Sequence, residues 1–357
     1  MKNAYSSVKI FHHKEALDKI GQGKGTAPFY VRIKPTNFCN HHCAYCTYGS
    51  GDTKNKTENR DNIRHKDMIP RDKMLEIIDD MGHMGVKAVT FSGGGEPLTY
   101  PYMKEALAEL KKRNIELSLI SNGQLLKGEL AEAFYGAKWV RISFDSPNAR
   151  EYAKLRGISE QSYEEVIQNI SDFAKKKNSG CVLGVNFVIS KSNYKRVYEA
   201  AELLKGLGVN NVKFAAVISN EEKYHESIKN ETLEQIYRAI QELSSGEFQI
   251  INSYENECMD KNFSMQPFST CYTCRLVTVI AADQKIYFCH TRAYDSNAVL
   301  SDLRGMSFRK AWYAEETQKK LAGLNPQREC KNFCVYEERN QLIQAYYDVN
   351  YDHINFI

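Results

Sequence analysis

The amino-acid sequence predicts an α/β fold in which six βα units form a partial, TIM-like barrel, followed by a small C-terminal domain. Short apolar runs rich in β-branched residues alternate with helical patterns through about the first 220 residues. Such alternation is typical of repeated βα units on a parallel sheet. Beyond that point the pattern changes, and a group of cysteines begins at Cys271.

The predicted strands carry Val, Ile and Phe, and the predicted helices place apolar residues on one face. The strands are predicted at Val31–Pro35, Ala88–Ser92, Ile115–Ile120, Trp139–Phe144, Val182–Ile189 and Val212–Val217. The helices are predicted at Arg71–Met84, Tyr102–Arg113, Lys127–Tyr135, Tyr163–Lys177, Asn193–Leu207 and Glu231–Leu243. We therefore divide the chain into a barrel core (1–220), a helical linker (221–270) and a C-terminal domain that ends in a helix (271–357).

Composition and charge argue against several classes of protein. The 357 residues include 48 basic and 44 acidic side chains, a formal net charge of +4, which indicates neither a nucleic-acid surface nor a polybasic membrane face. No apolar stretch approaches the roughly 20 residues that cross a bilayer, and the first residues lack the apolar segment of a signal peptide. We expect a cytoplasmic protein with reduced cysteines and with neither a nucleic acid nor a membrane as partner.

Three cysteines, Cys39, Cys43 and Cys46, follow the first predicted strand in the run CNHHCAYC. In such barrels the carboxyl ends of the strands carry the chemistry. A 4Fe-4S cluster normally takes a thiolate on every iron, so three thiolates would leave one iron for a small molecule. A structural zinc site and a disulfide-linked knot are the alternatives. No cysteine follows Cys46 until Cys181 to complete a zinc site, and the missing export signal argues against disulfides.

The cysteine loop and the run SGGGEPL after the second predicted strand resemble the radical S-adenosylmethionine (SAM) enzymes. This resemblance implies that the three cysteines hold a SAM-binding 4Fe-4S cluster and that SAM is cleaved reductively to a 5′-deoxyadenosyl radical. It also implies that the glycine-rich turn holds the methionyl amino group of SAM, with a plain strand-to-helix turn as the alternative. The residues of these two motifs implied in cofactor binding are Tyr45, Gly94, Gly95, Glu96 and Pro97.

Short polar side chains also follow the third and fourth predicted strands, where the resemblance implies ribose contacts. Ser, Asn and Asp can hydrogen-bond two neighbouring hydroxyls, although they are also favoured turn formers and helix caps. Arg156 is a candidate partner for the SAM carboxylate, with an ordinary surface arginine as the alternative. Asn186 is the residue of the fifth strand that core packing does not explain. The candidate SAM contacts in this part of the chain are Ser121, Asn122, Ser143, Asp145, Arg156 and Asn186.

A second cysteine group lies near the C-terminus, and the sequence RLVTVIAADQKIYFC within it predicts a hairpin. Its members are Cys271, Cys274, Cys289, Cys330 and Cys334. With the run FRKAW at 308–312, this group resembles the SPASM or shortened twitch extension of radical SAM enzymes, which binds auxiliary 4Fe-4S clusters. The family's hairpin usually has glycine where this chain has Gln284. A zinc ribbon is the alternative.

Five C-terminal cysteines indicate one auxiliary 4Fe-4S cluster. Four would saturate it and leave either Cys271 or Cys274 spare; alternatively, one iron would stay open for substrate. Cys181 and Cys258 have no cysteine nearby in sequence and are expected to be buried as small apolar side chains.

The resemblance implies an oxidoreductase that takes hydrogen from a small polar substrate, sugar-like or otherwise hydroxylated. The auxiliary cluster would accept the second electron, and flavodoxin or ferredoxin would be the reducing partner. The alternatives are a maturase that crosslinks or epimerises a ribosomal peptide, an activator of a glycyl-radical enzyme, and an iron-sulfur electron carrier. The sequence assigns no catalytic acid or base.

Overall fold

The computed structural model of this chain describes residues 6–49, 63–219, 221, 223–258, 266–330 and 334–355. Within these ranges ten strands form one sheet. They are β1 (Tyr30–Ile33), β2 (Ala88–Phe91), β3 (Glu116–Ser121), β4 (Trp139–Ser143), β5 (Val182–Ile189), β6 (Asn211–Ala216), β7 (Gln249–Asn252), β8 (Val277–Ile280), β9 (Lys285–Tyr287) and β10 (Val299–Asp302). The first six coincide with the six predicted strands to within two residues.

Helices connect the strands and cover one face of the sheet. The α-helices of the described residues are α1 (Lys14–Gly21), α2 (Arg71–Met84), α3 (Met103–Lys112), α4 (Gly128–Phe134), α5 (Ala149–Arg156), α6 (Glu160–Lys176), α7 (Val197–Gly206), α8 (Lys229–Leu243), α9 (Tyr254–Glu257), α10 (Phe308–Tyr313), α11 (Glu315–Gly323), α12 (Pro326–Glu329) and α13 (Glu337–Tyr347). Short 3-10 helices lie at Ser7–His13, Pro97–Thr99, Tyr194–Arg196, Thr273–Arg275, Ser296–Ala298 and Tyr351–His353.

Helix α6 illustrates how the sequence specifies these elements. Its N-cap, Ser159, accepts a hydrogen bond from the Ser162 N–H and so satisfies one backbone donor of the first turn. Its buried apolar residues are Tyr163, Val166, Ile170 and Phe173, spaced three or four apart. That spacing forms one stripe along the helix, which packs on the sheet.

The sheet is open and mostly parallel. Strands β1 to β7 are neighbours in chain order, and each pairs in parallel with the next. Strand β8 pairs in parallel on the other side of β1, and β9 and β10 continue antiparallel from it. Strands β7 and β10 are the two edges. The predicted α/β fold with a parallel sheet is therefore confirmed.

The two faces of the sheet differ in composition. On the helix-covered face, apolar side chains are fully buried against helices; examples are Val31, Phe91, Leu119, Val140, Val185 and Phe187. Because side chains alternate along a strand, the intervening residues face the other way. We call this second surface the inner face; it carries Tyr30, Arg32, Thr90, Ser118, Arg141, Ser143, Asn186 and Lys213, which the strand registers align in rows.

The C-terminal segment belongs to the same sheet as the core. In the β8–β9 hairpin the Gln284 N–H donates to the Ala281 carbonyl at 2.9 Å, and Gln284 has φ +62°. Gln284 therefore adopts the left-handed conformation for which glycine is usual. Ile343 of α13 shares a buried cluster with Ile10 and Leu17 from the start of the chain.

Helix α5 and strand β7 are among the elements that the sequence analysis did not predict. Helix α5 is short and highly charged and buries only Tyr152, Ala153 and Arg156, so its apolar pattern is weak. Strand β7 has four residues, all half-buried at an edge of the sheet. Because β7 pairs with β6, the sheet extends into the segment expected as a helical linker. Among the described residues, no helix is long and apolar enough to cross a membrane.

Trp312 connects the C-terminal helices to the N-terminal segment, and its replacement tests that connection. The indole is fully buried, and Nε1 donates to the Thr26 carbonyl at 2.8 Å. Trp312→Phe removes this donor and leaves space, so we expect the free energy of unfolding to fall by about 1–3 kcal/mol, measured from urea denaturation. The control is Tyr313→Phe, at a ring that is 46% exposed; equal losses in the two variants would contradict the prediction.

Candidate functional site

The first cysteine loop, defined here as residues 39–46, lies at the carboxyl end of β1 and is held by the end of α5. The His42 N–H donates to the Arg156 carbonyl at 2.8 Å, and the Ala44 N–H donates to the Leu155 carbonyl at 3.0 Å. Within the loop, the Cys46 N–H donates to the Cys43 carbonyl at 3.1 Å. A helix that the sequence analysis missed thus positions the predicted cluster ligands.

The three thiols of this loop act electrostatically on one another. Burial raises the pKa of Cys39 to about 12 and also raises that of Cys43. The His41 N–H donates to the Cys39 sulfur at 3.4 Å, and Arg156 Nη1 donates to the Cys43 sulfur at 3.7 Å. Bound iron would stabilise thiolates that burial alone disfavours, so this donor set fits a cluster. Among the described residues, no group of three or more His, Cys, Asp or Glu side chains is arranged so that it could hold a single metal ion.

Asp145 links the loop to the end of β4. Its carboxylate is fully buried, pairs with Arg156, and accepts hydrogen bonds from the Tyr45 hydroxyl and, at 3.1 Å, the Val188 N–H. Both Tyr45 and Arg156 belong to the predicted SAM contacts, and here both bind Asp145. Their contact with SAM remains a prediction; their observed partners hold the loop.

Glu96 of the glycine-rich turn is a second buried carboxylate with its own set of donors. It accepts from the Ser121 hydroxyl at 2.7 Å, the Asn122 N–H at 2.7 Å and the Leu98 N–H at 3.0 Å. Burial raises the pKa of Glu96, while these donors oppose that shift. The structure therefore brings Glu96, Ser121 and Asn122 together, as a network of protein groups that joins the turn to the end of β3.

The same network reaches the first cysteine loop through side-chain amides. Asn122 Nδ2 donates to Asn40 Oδ1 at 2.8 Å, and Asn40 Nδ2 donates to Gln124 Oε1 at 2.8 Å. His41 Nε2 lies 2.9 Å from the same Gln124 oxygen, and burial lowers the pKa of His41 to about 4. A neutral His41 with its proton on Nε2 can donate to that oxygen, which fixes the loop on a second side.

The glycines of the SGGGEPL turn allow close backbone packing on the residues before Cys39. The Gly95 N–H donates to the Thr36 carbonyl at 3.0 Å, and the Glu96 N–H donates to the Phe38 carbonyl at 2.9 Å. A Cβ on Gly95 would collide with the backbone of Asn37 and Phe38. The requirement for glycine here follows from packing against the cysteine loop, and Pro97 starts the short helix that follows.

Two of the predicted SAM contacts lie side by side on the inner face. Ser143 and Asn186 are aligned partners on β4 and β5, and both are half-buried. Val185 and Phe187 lie on the helix-covered face and are fully buried. Of this strand, Asn186 is therefore the residue near Ser143 that can meet a molecule on the inner face.

The second cysteine group surrounds the β8–β9 hairpin. The thiols of Cys330 and Cys334 are each acted on by those of Cys271 and Cys289, and burial raises the pKa of both to about 12. The Cys274 thiol donates to the Cys271 carbonyl at 3.0 Å, and its contact with the Cys271 thiol, together with burial, raises the pKa of Cys271. The structure thus brings all five cysteines to one region, with Cys274 bonded to the backbone of its neighbour.

Asn340 positions Cys271 from helix α13. Its side chain is fully buried, Nδ2 donates to the Cys271 sulfur at 3.8 Å, and Oδ1 accepts from both the N–H and the hydroxyl of Thr273. Such donors to a ligand sulfur orient it and change its electron density.

Side chains absent from the sequence analysis join the two cysteine groups. The Tyr48 hydroxyl donates to the His290 carbonyl at 3.3 Å, and Lys34 Nζ donates to the Tyr48 hydroxyl at 3.0 Å. His290 Nδ1 lies 3.2 Å from the Tyr336 hydroxyl. Tyr48, His290 and Tyr336 each lie within two residues of a cysteine, which is the signal that could have identified them.

Lys34 is a buried lysine that the sequence analysis also missed. It follows β1 directly and is 2% exposed, and its Nζ donates to the Gly93 carbonyl at 2.5 Å. The signal in the sequence is that Lys34, like Arg32, is a basic residue within the predicted strand Val31–Pro35.

Comparison with known proteins supports the resemblance seen in the motifs. The chain is 29% identical over 199 residues to the tungsten-containing aldehyde ferredoxin oxidoreductase cofactor-modifying protein of Pyrococcus furiosus, covering 54% of this chain and 51% of that protein. It is 30% identical over 182 residues to GTP 3′,8-cyclase of Helicobacter pylori, covering 49% and 52%, respectively. The chain spans about half the length of these curated relatives.

A solved structure resembles the chain over more of its length. The crystal structure of Streptococcus suis SuiB bound to S-adenosylmethionine has a TM-score of 0.63 at 16% identity, covering 89% of this chain and 74% of that one. At this identity the likeness shows a shared fold. The family model of the radical SAM superfamily matches residues 33–195 of this chain. These residues include the cysteine loop, the glycine-rich turn and Asn186. This part of the chain is therefore similar to the domain of the radical SAM superfamily.

Proposed function

We propose that the protein cleaves SAM reductively and takes hydrogen from a small polar substrate in a net two-electron oxidation. The observation that carries this proposal is the set of three half-buried cysteines, Cys39, Cys43 and Cys46, in the loop at the carboxyl end of β1, inside the matched segment. When bound, a reduced 4Fe-4S cluster and SAM would supply a 5′-deoxyadenosyl radical as the hydrogen acceptor. A reducing partner such as flavodoxin or ferredoxin, in the cytoplasm, would supply the electron.

The residues of the chain would hold SAM between the cysteine loop and the inner face. Ser143 and Asn186 offer a hydroxyl and an amide on adjacent strands, the donors and acceptors that ribose hydroxyls need. The glycine-rich turn lies against the residues preceding Cys39, so a methionyl group bound there would lie beside the cluster. Asp145 and Glu96 would keep the loop and turn in place, since their oxygens are already occupied by protein donors.

We further propose that Cys271, Cys289, Cys330 and Cys334 hold one auxiliary 4Fe-4S cluster, and that Cys274 is the spare cysteine. The thiols of Cys289, Cys330 and Cys334 are acted on by one another or by Cys271, whereas Cys274 acts on Cys271 and on none of these three, which supports this choice. The Cys274 thiol also donates a hydrogen bond to the backbone carbonyl of Cys271, a bond that a thiolate bound to iron could not make. Four thiolates would leave no open iron, which suits an electron acceptor better than a substrate ligand.

The contact between Tyr48 and His290 supports an electron-accepting role for the auxiliary site. Tyr48 lies two residues after Cys46, and His290 follows Cys289, so one hydrogen bond joins the two cysteine groups. In the proposed oxidation the substrate would lose a hydrogen atom, then an electron and a proton. The hydrogen atom would go to the 5′-deoxyadenosyl radical and the electron to the auxiliary cluster, with the proton passing to solvent.

Peptide maturation is the second candidate function. The chain shares the fold of SuiB, and a second crystal structure shows SuiB bound to the precursor peptide SuiA. The match to that structure covers 94% of this chain at a TM-score of 0.62. A peptide would need the inner face to be open to an extended chain, whereas a small molecule would not. Mass spectrometry of peptides and small molecules incubated with the reduced enzyme separates the two.

Iron content tests the two proposed cluster sites. Anaerobic reconstitution of the wild type should give about eight irons, four per cluster, and the triple change of Cys39, Cys43 and Cys46 to Ala should leave about half. Cys181→Ala, at a buried cysteine outside both groups, is the control and should keep the full content. Full iron in the triple variant would refute the first cluster assignment.

The choice between Cys271 and Cys274 can be tested in the same assay. Cys274→Ser should retain about eight irons, whereas Cys271→Ser should lose most of the auxiliary four. Circular dichroism of both variants checks that they fold alike. The reverse pattern would assign Cys274 to the cluster and make Cys271 the spare cysteine.

Binding of SAM tests the role of the inner face. Each hydrogen bond to ribose is worth on the order of 1 kcal/mol, so Ser143→Ala and Asn186→Ala should each weaken SAM binding by about five- to tenfold. Equilibrium binding to the reconstituted protein measures this. Ser179→Ala, at an exposed serine, is the control; unchanged affinity in both inner-face variants would place the ribose elsewhere.

A further inference from the structure

The inner face is strongly basic. Its positions on or directly after the strands include four cationic side chains: Arg32, Lys34, Arg141 and Lys213. Within the described strands β1 to β8, the acidic residue on this face is Glu116, at the amino end of β3, where it pairs with Lys138. Lys213 pairs with Glu257 at 3.2 Å. The part of the face nearest β1 is therefore positive without an acidic side chain on its own strands.

Arg32 is the centre of this positive region. It aligns with Thr90 on β2 and Val279 on β8, so it lies in the middle of the sheet. Its Nε is buried and has no hydrogen-bond partner among the described residues. The hydroxyls of Tyr30, Tyr336 and Tyr48 act electrostatically on its guanidinium, and Tyr30 also hydrogen-bonds to it, so its nearest partners are uncharged groups. None of the ion pairs between described residues includes Arg32.

Arg32 as a whole is half-buried, but its Nε is shielded from solvent. A guanidinium that loses water in this way and gains no opposite charge in return is costly. Arginine presents a planar fork of N–H donors that matches a carboxylate or a phosphate in two parallel hydrogen bonds. An anionic ligand group would therefore satisfy both the charge and the free Nε donor.

The position of Arg32 also determines where such a ligand would lie. Lys34, two residues further along, contacts Gly93 of the glycine-rich turn and Tyr48 beyond the cysteine loop. Arg32 lies roughly 7 Å deeper along the strand, away from that loop. A molecule held by Arg32 at its anionic end would extend towards the carboxyl ends of the strands, where the proposed SAM site lies.

We propose that Arg32, supported by the positive charge of Lys34, forms a subsite for an anionic group of the substrate, a carboxylate or a phosphate. This inference rests on the proposed function, because it names the substrate class of that same site. It makes the substrate an anionic small molecule rather than a neutral sugar.

The test uses the anaerobically reconstituted full chain, without reductant, and its thermal midpoint. The probes are inorganic phosphate and succinate, compared with chloride at equal ionic strength so that screening is constant. Saturation of the subsite by either probe should raise the midpoint of the wild type by about 2–4 °C. A rise with phosphate alone assigns a phosphate group, and a rise with succinate alone assigns a carboxylate.

Arg32→Met keeps most of the side-chain volume but removes the charge and the donors, so it should abolish the shift. Arg238→Met, at a 58% exposed arginine that pairs with Glu242, is the matched control and should retain it. If Arg32→Met does not fold, Arg32→Lys keeps the charge without the fork and should at least halve the shift. The proposal is overturned if neither anion shifts the wild type, or if the tested Arg32 variant responds as the control does.

One competing occupant of the subsite is the carboxylate of SAM itself. The subsite is separate from it if saturating SAM leaves the anion-induced shift intact, and loss of the shift would overturn the assignment to substrate. Formation of 5′-deoxyadenosine by the reduced wild type tests the proposed function independently. An anion shift without 5′-deoxyadenosine would refute the proposed function, whereas 5′-deoxyadenosine without an anion shift would refute only the subsite.

Discussion

The buried pair of Asp145 and Arg156 is the interaction on which the arrangement of the site depends. Asp145 lies at the end of β4 and also binds Tyr45 and the Val188 backbone, while Arg156 ends α5 and donates to the Cys43 sulfur. Removal of two charges from water is costly unless further hydrogen bonds satisfy them, and here Asp145 has several. The pair thus fixes the first cysteine loop relative to two strands and one helix.

Alternation of side chains along the strands separates the stability of the sheet from its chemistry. On β5, Val185 and Phe187 are fully buried against helices, while Asn186 lies between them in the chain and on the opposite face. The same alternation puts Val31 in the core and Arg32 on the inner face. Substitutions on the inner face can therefore alter binding without opening a cavity in the helix-packed core.

The sequence was sufficient to predict the six core strands and six of the helices, because their apolar periodicity is strong and regular. It did not predict α5 or β7, which bury few apolar side chains, even though Asn148 and Gly157 cap the two ends of α5. Among the site residues, the motifs identified which side chains matter near the cysteine loop but not which of them bind one another. The bonds from Ser121 and Asn122 to Glu96 join residues about 25 positions apart, and no local pattern encodes them.

Those internal bonds divide the polar strand ends into two groups. Ser121 and the Asn122 backbone already donate to Glu96, so binding ribose with the same hydrogens would leave a buried carboxylate short of donors, at a cost of about 1–3 kcal/mol. Ser143 and Asn186 lie on the half-buried inner face and face no such conflict. Polar side chains of the same type at neighbouring strand ends thus differ in role. Ser121 and Asn122 hold the glycine-rich turn against the cysteine loop, whereas Ser143 and Asn186 are placed to contact a ligand.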